Sequence, residues 1–325
     1  MRILASTAAA ALLAIAAPAF AQEIGTEISA PAGEGMLGGM FTGARDGSQP
    51  VVLIIPGSGP TDRDGNNPMG VRAATLSLLA EGLEQQGIAS VRIDKRGMFS
   101  SASATADPNA VTLADYAGDV LSWVSVIKAE TGVSCVTIAG HSEGGLVALL
   151  AARAGGADVC GLVLLAAPGR PLRTTLEAQL GASPVFAGSM DQIRAMFDRI
   201  EAGETVPLAE MPAAVRGVLP PPVHPFLGNL FRTDPAEAAA AIPGTPMLLV
   251  YGEKDSQITL EDWHALRTAR PDAHSLILPF ATHALKDAAG NDPAAAAATY
   301  TDPDLPLTTG VAEAMASFVR LHAGN

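Results

Sequence analysis

A serine with a glycine two residues to either side, Gly140-His141-Ser142-Glu143-Gly144, stands between the apolar run Val133 to Ala139 and the helical pattern Gly145 to Arg153. A short, continuous run rich in Val and Ile suits a strand buried on both faces. Leu146, Leu149 and Leu150 recur at core-facing helical spacing before Gly155 and Gly156 can end the helix. The segment therefore reads as strand, sharp turn and helix, with Ser142 at the tip. In a turn this tight, a Cβ at position 140 or 144 would collide with the neighbouring chain. The serine itself would be held in strained backbone geometry, its Oγ presented at the carboxyl edge of a sheet. That is the placement of a nucleophile.

A serine hydroxyl is a weak nucleophile at neutral pH and needs a general base, with a third group to orient that base. Two later strands end in suitable residues. Pro246 to Tyr251 is followed by the exit loop Gly252 to Ser256, which carries Asp255, and Ser275 to Pro279 is followed by His283. The expected order is thus Ser142, Asp255, His283, all at the carboxyl edge of one sheet, with His283 as base and Asp255 fixing its tautomer. Glu253 competes with Asp255 from the same loop. His141 abuts the nucleophile and reads as a packing or supporting residue. His224, His264, His274 and His322 do not follow a late strand. An oxyanion would need two N–H donors. One is expected from the backbone of Glu143, at the amino end of the helix after the nucleophile. The other is expected from Ser58, with Gly59 as alternative, in the Gly57 to Pro60 turn that follows the apolar strand Val51 to Ile55.

The elements that must position these residues alternate. Strands are predicted at Glu27 to Ser29, Met36 to Thr42, Val51 to Ile55, Ile88 to Ile93, Val133 to Ala139, Gly161 to Ala166, Met247 to Tyr251 and Ser275 to Leu278. Helices are predicted at Val71 to Gln86, Leu113 to Glu130, Glu143 to Arg153, Leu260 to Ala269 and Val311 to His322. This is the pattern of an α/β protein with a mostly parallel eight-stranded sheet flanked by helices, which binds ligands at its carboxyl edge. Between Pro168 and Pro243 the rhythm breaks. Residues 169–242 are expected to form a helical cap inserted between the sixth and seventh strands, leaving 22–168 and 243–325 as the core. Leu176, Leu180, Ile193, Met196, Phe197 and Ile200 are expected on the inner face of the cap, most of them packing it on the body, and so many apolar residues suggest an apolar acyl or alcohol pocket. Gly290 to Pro306 reads as a surface loop.

Together the stretches Pro56 to Asn66, Val91 to Gly97, Gly140 to Gly145, Tyr251 to Asp255 and the His283 region resemble a bacterial α/β-hydrolase of the carboxylesterase type, from about Glu27 to Val319. The resemblance implies the α/β-hydrolase fold and a Ser-His-Asp hydrolase acting on a small-molecule ester through an acyl-enzyme. A peptidase or amidase, or a thioesterase, would use the same residues, and a binding protein on a disabled hydrolase fold is the reading from another class. Relatives usually carry another glycine soon after the match to Asp94-Lys95-Arg96-Gly97. Here Met98 and Phe99 intervene, which would either narrow a pocket edge or rearrange a turn. Asp62, Arg63 and Asp64 are expected to brace the oxyanion loop.

Arg2 precedes an apolar run from Ile3 to Phe20, and Ala19-Phe20-Ala21 fits a cleavage site. A signal peptide over 1–21 and a periplasmic or secreted protein are the expectation, with no stable membrane association after cleavage. Cys135 and Cys160 fall near the starts of two neighbouring strands, either paired in an oxidising compartment or present as two buried thiols. Scattered cysteines and histidines lack metal-ligand spacing, so no metal or cofactor is expected. The chain has 33 Asp and Glu against 20 Lys and Arg, and loss of Arg2 moves the net charge from −13 to −14. That excess disfavours nucleic acid and anionic surfaces as partners. Oligomeric state is left open. A composition 48% hydrophobic and only 16% charged supports one large core.

Overall fold

The computed structural model describes residues 25–324 apart from Glu34 and Asn291; the signal segment expected at 1–21 lies outside the described residues. Eight strands form one sheet: β1 (Thr26–Ala32), β2 (Gly35–Thr42), β3 (Val51–Ile55), β4 (Ala89–Ile93), β5 (Val136–His141), β6 (Val159–Leu165), β7 (Met247–Gly252) and β8 (His274–Leu278). Their order is β1-β2-β4-β3-β5-β6-β7-β8. Only β2 runs antiparallel to its neighbours, and every other pairing is parallel. The eight strands and their mostly parallel arrangement are those expected from the sequence.

Among the described residues the α-helices longer than four residues are α1 (Thr75–Gln85), α2 (Leu113–Thr131), α3 (Glu143–Gly155), α4 (Leu172–Ala182), α5 (Met190–Glu201), α6 (His224–Phe231), α7 (Pro235–Ala240), α8 (Leu260–Ala269), α9 (Pro293–Thr301) and α10 (Val311–His322). Period-two alternation along the central strands divides the core. Leu53 and Ile55 of β3 join Trp123, Ile127, Leu149 and Leu266 on the face covered by α2, α3 and α8. Val52 and Ile54 join Leu76, Leu83, Met315 and Phe318 under α1 and α10. A strand buried on both faces has no polar side, which is why β3 reads as a continuous apolar run.

Three departures from the sequence reading have a local cause. Helix α1 begins at Thr75 rather than Val71, because Val71–Arg72 pairs antiparallel with Asn66–Asn67 in a small ribbon. Strand β5 begins at Val136, since Gly132 in left-handed conformation (φ 78°) ends α2 and the chain still has to turn before entering the sheet. The expected loop Gly290 to Pro306 contains α9. Asp292 caps it by accepting the Ala294 N–H at 2.9 Å, proline occupies the first turn and an alanine run propagates it.

Between β6 and β7, helices α4 to α6 gather a cluster of their own from Ile193, Met196, Phe197, Ile200, Val206, Val215 and Phe231. His224 is buried within it and pins two loops. Its Nδ1 accepts the Val206 N–H at 3.1 Å, so Nε2 carries the proton and donates to the Leu219 carbonyl at 3.0 Å. Further on, Ala239 in α7 and Ile242 belong to the main core beneath α3 and α8. Cys135 and Cys160 form a disulfide, Cα to Cα 5.3 Å, across the starts of β5 and β6. Among the described residues no helix is long and apolar enough to cross a membrane.

Candidate active site

Strand β5 ends at His141, α3 begins at Glu143, and Ser142 between them has φ 54° and ψ −125°. A positive φ is costly for a residue with a Cβ and persists only where the surroundings impose it. Here they do. The Ser142 N–H is held by the Leu165 carbonyl at 2.9 Å. A Cβ on Gly140 would lie 2.2 Å from the Gly144 carbonyl oxygen, and one on Gly144 would lie 2.5 Å from that of Ile55. The two glycines thus let strand, helix and the end of β3 pass within backbone contact.

His283 and Asp255 leave β8 and β7 at the same edge. His283 Nδ1 lies 2.7 Å from Asp255 Oδ2, while Oδ1 accepts the backbone N–H groups of Gln257 (2.7 Å) and Ile258 (2.9 Å). A carboxylate whose oxygens are all acceptors fixes the proton on Nδ1 and leaves Nε2 as the acceptor. Asp255 and His283 are buried, whereas Glu253 is exposed, and the structure brings Asp255 rather than Glu253 to the imidazole. Ser142 and His283 line one cavity. Among the described residues they share no hydrogen bond, a contact that apo sites often complete only with substrate present.

Sequence reasoning missed part of the surroundings of His283. His141 Nε2 donates to the His283 carbonyl at 2.8 Å, with the two rings 4.8 Å apart. Burial, followed by the nearness of His283, pushes His141 down to about 4, so the ring is neutral at neutral pH. From α9, Tyr300 places its hydroxyl against the His283 backbone and within 3.4 Å of Gln257 Nε2. Helix α9 is tied to the His283 loop by the Thr282 and Thr299 hydroxyls, 2.9 Å apart. The only signal for Tyr300 in the sequence was an Asp-Pro pair heading an alanine run.

The loop after β3 crosses the nucleophile. A Cβ on Gly57 would sit 3.2 Å from that of Ser142, and Ser58 and Gly59 both line the space around the serine. Neither Ser58 nor Glu143 donates its N–H to a backbone carbonyl of the loops and turns among the described residues. Behind the loop, Lys95 Nζ donates to the Gly57 carbonyl at 2.6 Å and lies 3.5 Å from Glu143 Oε1. The run of charges at 62–64 is anchored to β4. The Arg63 N–H donates to Asp94 Oδ1 at 2.9 Å, and Asp64 pairs with buried Arg92. Asp62 closes the turn by accepting from Asp64 and Asn66 (2.9 and 2.8 Å). Met98 and Phe99 line neither lobe of the site. Phe99 takes φ 46°, a glycine-favouring conformation, at the start of a short 3₁₀ segment, Phe99–Ala104. The departure from the usual glycine therefore rearranges a turn.

Two lobes meet at Ser142. One, of about 370 Å³, lies under the insertion among Leu146, Leu172, Leu176, Leu219, Phe226 and Leu230. The other, of about 280 Å³, is bounded by His283, His141, Gln257, Tyr300, Asn67 and Thr61. Of the six apolar cap positions singled out in the sequence, only Leu176 reaches a lobe, and the others fill the insertion's own core. A buried acid, an oriented imidazole and a strained serine, with Ser58 and Glu143 lining the space around it, can support nucleophilic attack on a carbonyl. Among the described residues no group of three or more His, Cys, Asp or Glu is placed to hold a metal.

A family model described as serine aminopeptidase, S33, matches residues 69–199, the stretch that contains Ser142. The esterase EstD of Thermotoga maritima is 31% identical over 222 residues, 66% of this chain and 49% of that protein. The chain thus spans about half the length of the curated relative it matches. An esterase of Pyrococcus furiosus superposes with a TM-score of 0.55 at 14% identity, covering 92% of this chain and 91% of that one. A proline iminopeptidase of Mycobacterium smegmatis superposes with a TM-score of 0.57 at 16% identity, covering 92% and 99%. At these identities the superpositions speak for the fold alone.

Proposed function

We propose that this chain is a member of the α/β-hydrolase superfamily and a secreted or periplasmic serine carboxylesterase that works through an acyl-enzyme. The observation that carries the reading is the 2.7 Å contact between His283 Nδ1 and Asp255, at the same sheet edge as the strained Ser142. In the first half-reaction His283 Nε2 takes the Ser142 proton as Oγ attacks the ester carbonyl, and the N–H groups of Ser58 and Glu143 receive the oxyanion. His283 then gives that proton to the departing alcohol. Water, deprotonated by the same imidazole, releases the acid.

This proton path orients the substrate. The leaving alcohol has to lie where His283 can reach its oxygen, in the smaller lobe with Tyr300, Gln257 and Asn67. The acyl group then lies in the leucine-lined lobe under the insertion. An apolar acyl group of short to medium length on a more polar alcohol suits this pair of lobes. Ester is favoured over the amino-terminal peptide of an aminopeptidase, because an α-ammonium needs an acidic partner. Among the described residues the only carboxylate lining either lobe is Glu143, which is buried and already paired with Lys95. Two features support export: the signal pattern ending at Ala21, and the Cys135–Cys160 disulfide, a bond that persists in oxidising compartments.

The test is intact-mass analysis after fluorophosphonate treatment, with Ser142→Ala alongside and matched ester and amide substrates. A single adduct lost in the variant is expected, with turnover of esters falling by about six orders of magnitude. Near-normal turnover by Ser142→Ala would overturn the reading, and faster cleavage of the amide than of the matched ester would replace esterase with peptidase.

A further inference from the structure

We infer that Lys95 is a positioning residue for the oxyanion site: one buried ammonium holds the Gly57–Ser58 peptide, which supplies one N–H donor, and the side chain of Glu143, the residue that supplies the other. The inference rests on the esterase reading of the Ser142 site. A trans peptide unit is planar, so the Gly57 carbonyl and the Ser58 N–H share one rigid plane and point in opposite directions. Lys95 Nζ donates to the Gly57 oxygen at 2.6 Å from the protein side, which turns the Ser58 N–H toward the cavity that Ser58 lines. The same ammonium lies 3.5 Å from Glu143 Oε1. Glu143 is the first residue of α3 and supplies the second N–H. The two donors come from chain segments 85 positions apart in sequence, and Lys95, at the exit of β4, spans the gap between them.

The site is costly to build, which argues against an incidental contact. Lys95 is only 4% exposed, and burying an ammonium is offset only where charge and hydrogen bonds meet it. It is met by the Gly57 carbonyl, by Glu143, and by the Tyr116 ring, whose centroid lies 5.6 Å from Nζ. Donation from a cation to the Gly57 oxygen also polarises that peptide and sharpens the partial positive charge on the Ser58 N–H. In the resting enzyme Glu143 balances Lys95. When the oxyanion forms, the added negative charge develops beside a cation already in place, with nothing left to reorganise. Stabilisation of this kind acts on the transition state and leaves ground-state binding nearly unchanged.

The experiment compares Lys95→Met and Lys95→Gln with wild type in kcat, KM and melting temperature. It adds the affinity for a trifluoromethyl ketone, which forms a tetrahedral adduct on the serine, and for its methyl ketone counterpart, which binds without forming one. Lys95→Met is expected to lower kcat by about 10- to 100-fold, below the loss seen when a donor is deleted outright, with KM within about threefold. Affinity for the trifluoromethyl ketone should fall in step with kcat while that for the methyl ketone holds. Lys95→Gln keeps a donor to the Gly57 oxygen and should recover part of the loss, and it carries the comparison where Lys95→Met is too unstable to purify. Equal losses for both ketones, or kcat near wild type in the folded variants, would overturn the inference. Wild-type protein that neither labels at Ser142 nor turns over esters would overturn the esterase reading as well, so the two failures are distinguishable.

Discussion

His141 and His283 have rings 4.8 Å apart, yet their surroundings differ in charge. His283 is aimed at a carboxylate, which fixes its tautomer and orients Nε2 toward the site. His141 lies in a desolvated space beside a second imidazole, and that favours the neutral ring despite its bond to the His283 carbonyl oxygen. The difference has a measurable consequence for stability. The folded protein holds His141 at about 4, whereas in an unfolded chain the ring titrates near its ordinary value of 6.5. Between those values the unfolded state binds a proton that the folded state refuses, so folding stability is complete above the upper value and declines as pH falls toward the lower one. The loss should be about 2 kcal/mol, discounted because the ring is partly exposed. His141→Gln keeps an N–H for the His283 carbonyl but does not titrate. Urea denaturation at about pH 7 and about pH 4.5 should show wild type losing this extra stability relative to the variant. Parallel pH dependences would mean that His141 is not depressed.

At the scale of elements, one carboxylate ties the insertion to the body. Asp262, fully buried in the first turn of α8, accepts the N–H groups of Gly169 (3.1 Å), Arg170 (3.2 Å) and Thr259 (3.2 Å) and pairs with the Arg170 guanidinium at 2.8 Å. Asp262→Ala strands those donors and leaves Arg170 unpaired, at an expected cost of about 3 kcal/mol. Because the Asp255 loop runs directly into α8, discrimination between long and short acyl esters should weaken too. Denaturant titration and an acyl-length series check both, and a loss below about 1 kcal/mol would refute the tie. Nothing in the sequence announces this role for Asp262, since Gly169 and Arg170 lie 93 and 92 residues earlier. By contrast the passage from β5 through Ser142 to α3 is fully written in local pattern: an apolar run, two glycines with no room for a Cβ, then helical spacing. Asp255 and His283 are legible for the same reason, each following a strand. Helix α9 was not, because an Ala- and Pro-rich stretch is ambiguous by composition and Tyr300 owes its place to the Thr282–Thr299 contact. Lys95 stood in a recognisable motif, but the direction of a side chain leaving a strand depends on a loop elsewhere in the fold.

Across the whole molecule the sheet separates stability from chemistry. The Cys135–Cys160 disulfide joins the starts of β5 and β6, while Ser142, Asp255 and His283 follow the ends of their strands at the opposite edge. The bond closes a loop across a sequence separation of 25 that contains β5, the Ser142 turn and α3. Constraining that loop in the unfolded chain should stabilise the protein by about 3 kcal/mol. Chain export and bond formation are coupled in the reading above, so both can be followed together. Protein exported from the full sequence should start at Gln22 and resist alkylation until reduced. The same chain retained in a reducing cytoplasm should carry two free thiols and melt lower. The double variant Cys135→Ser, Cys160→Ser should reproduce the lower melting temperature with kcat unchanged, because no atom of the site moves when the opposite edge is released. A fall in kcat matching the fall in stability would show instead that the bond holds the Ser142 turn itself. Two free thiols in the exported protein would remove one of the two supports for an oxidising compartment.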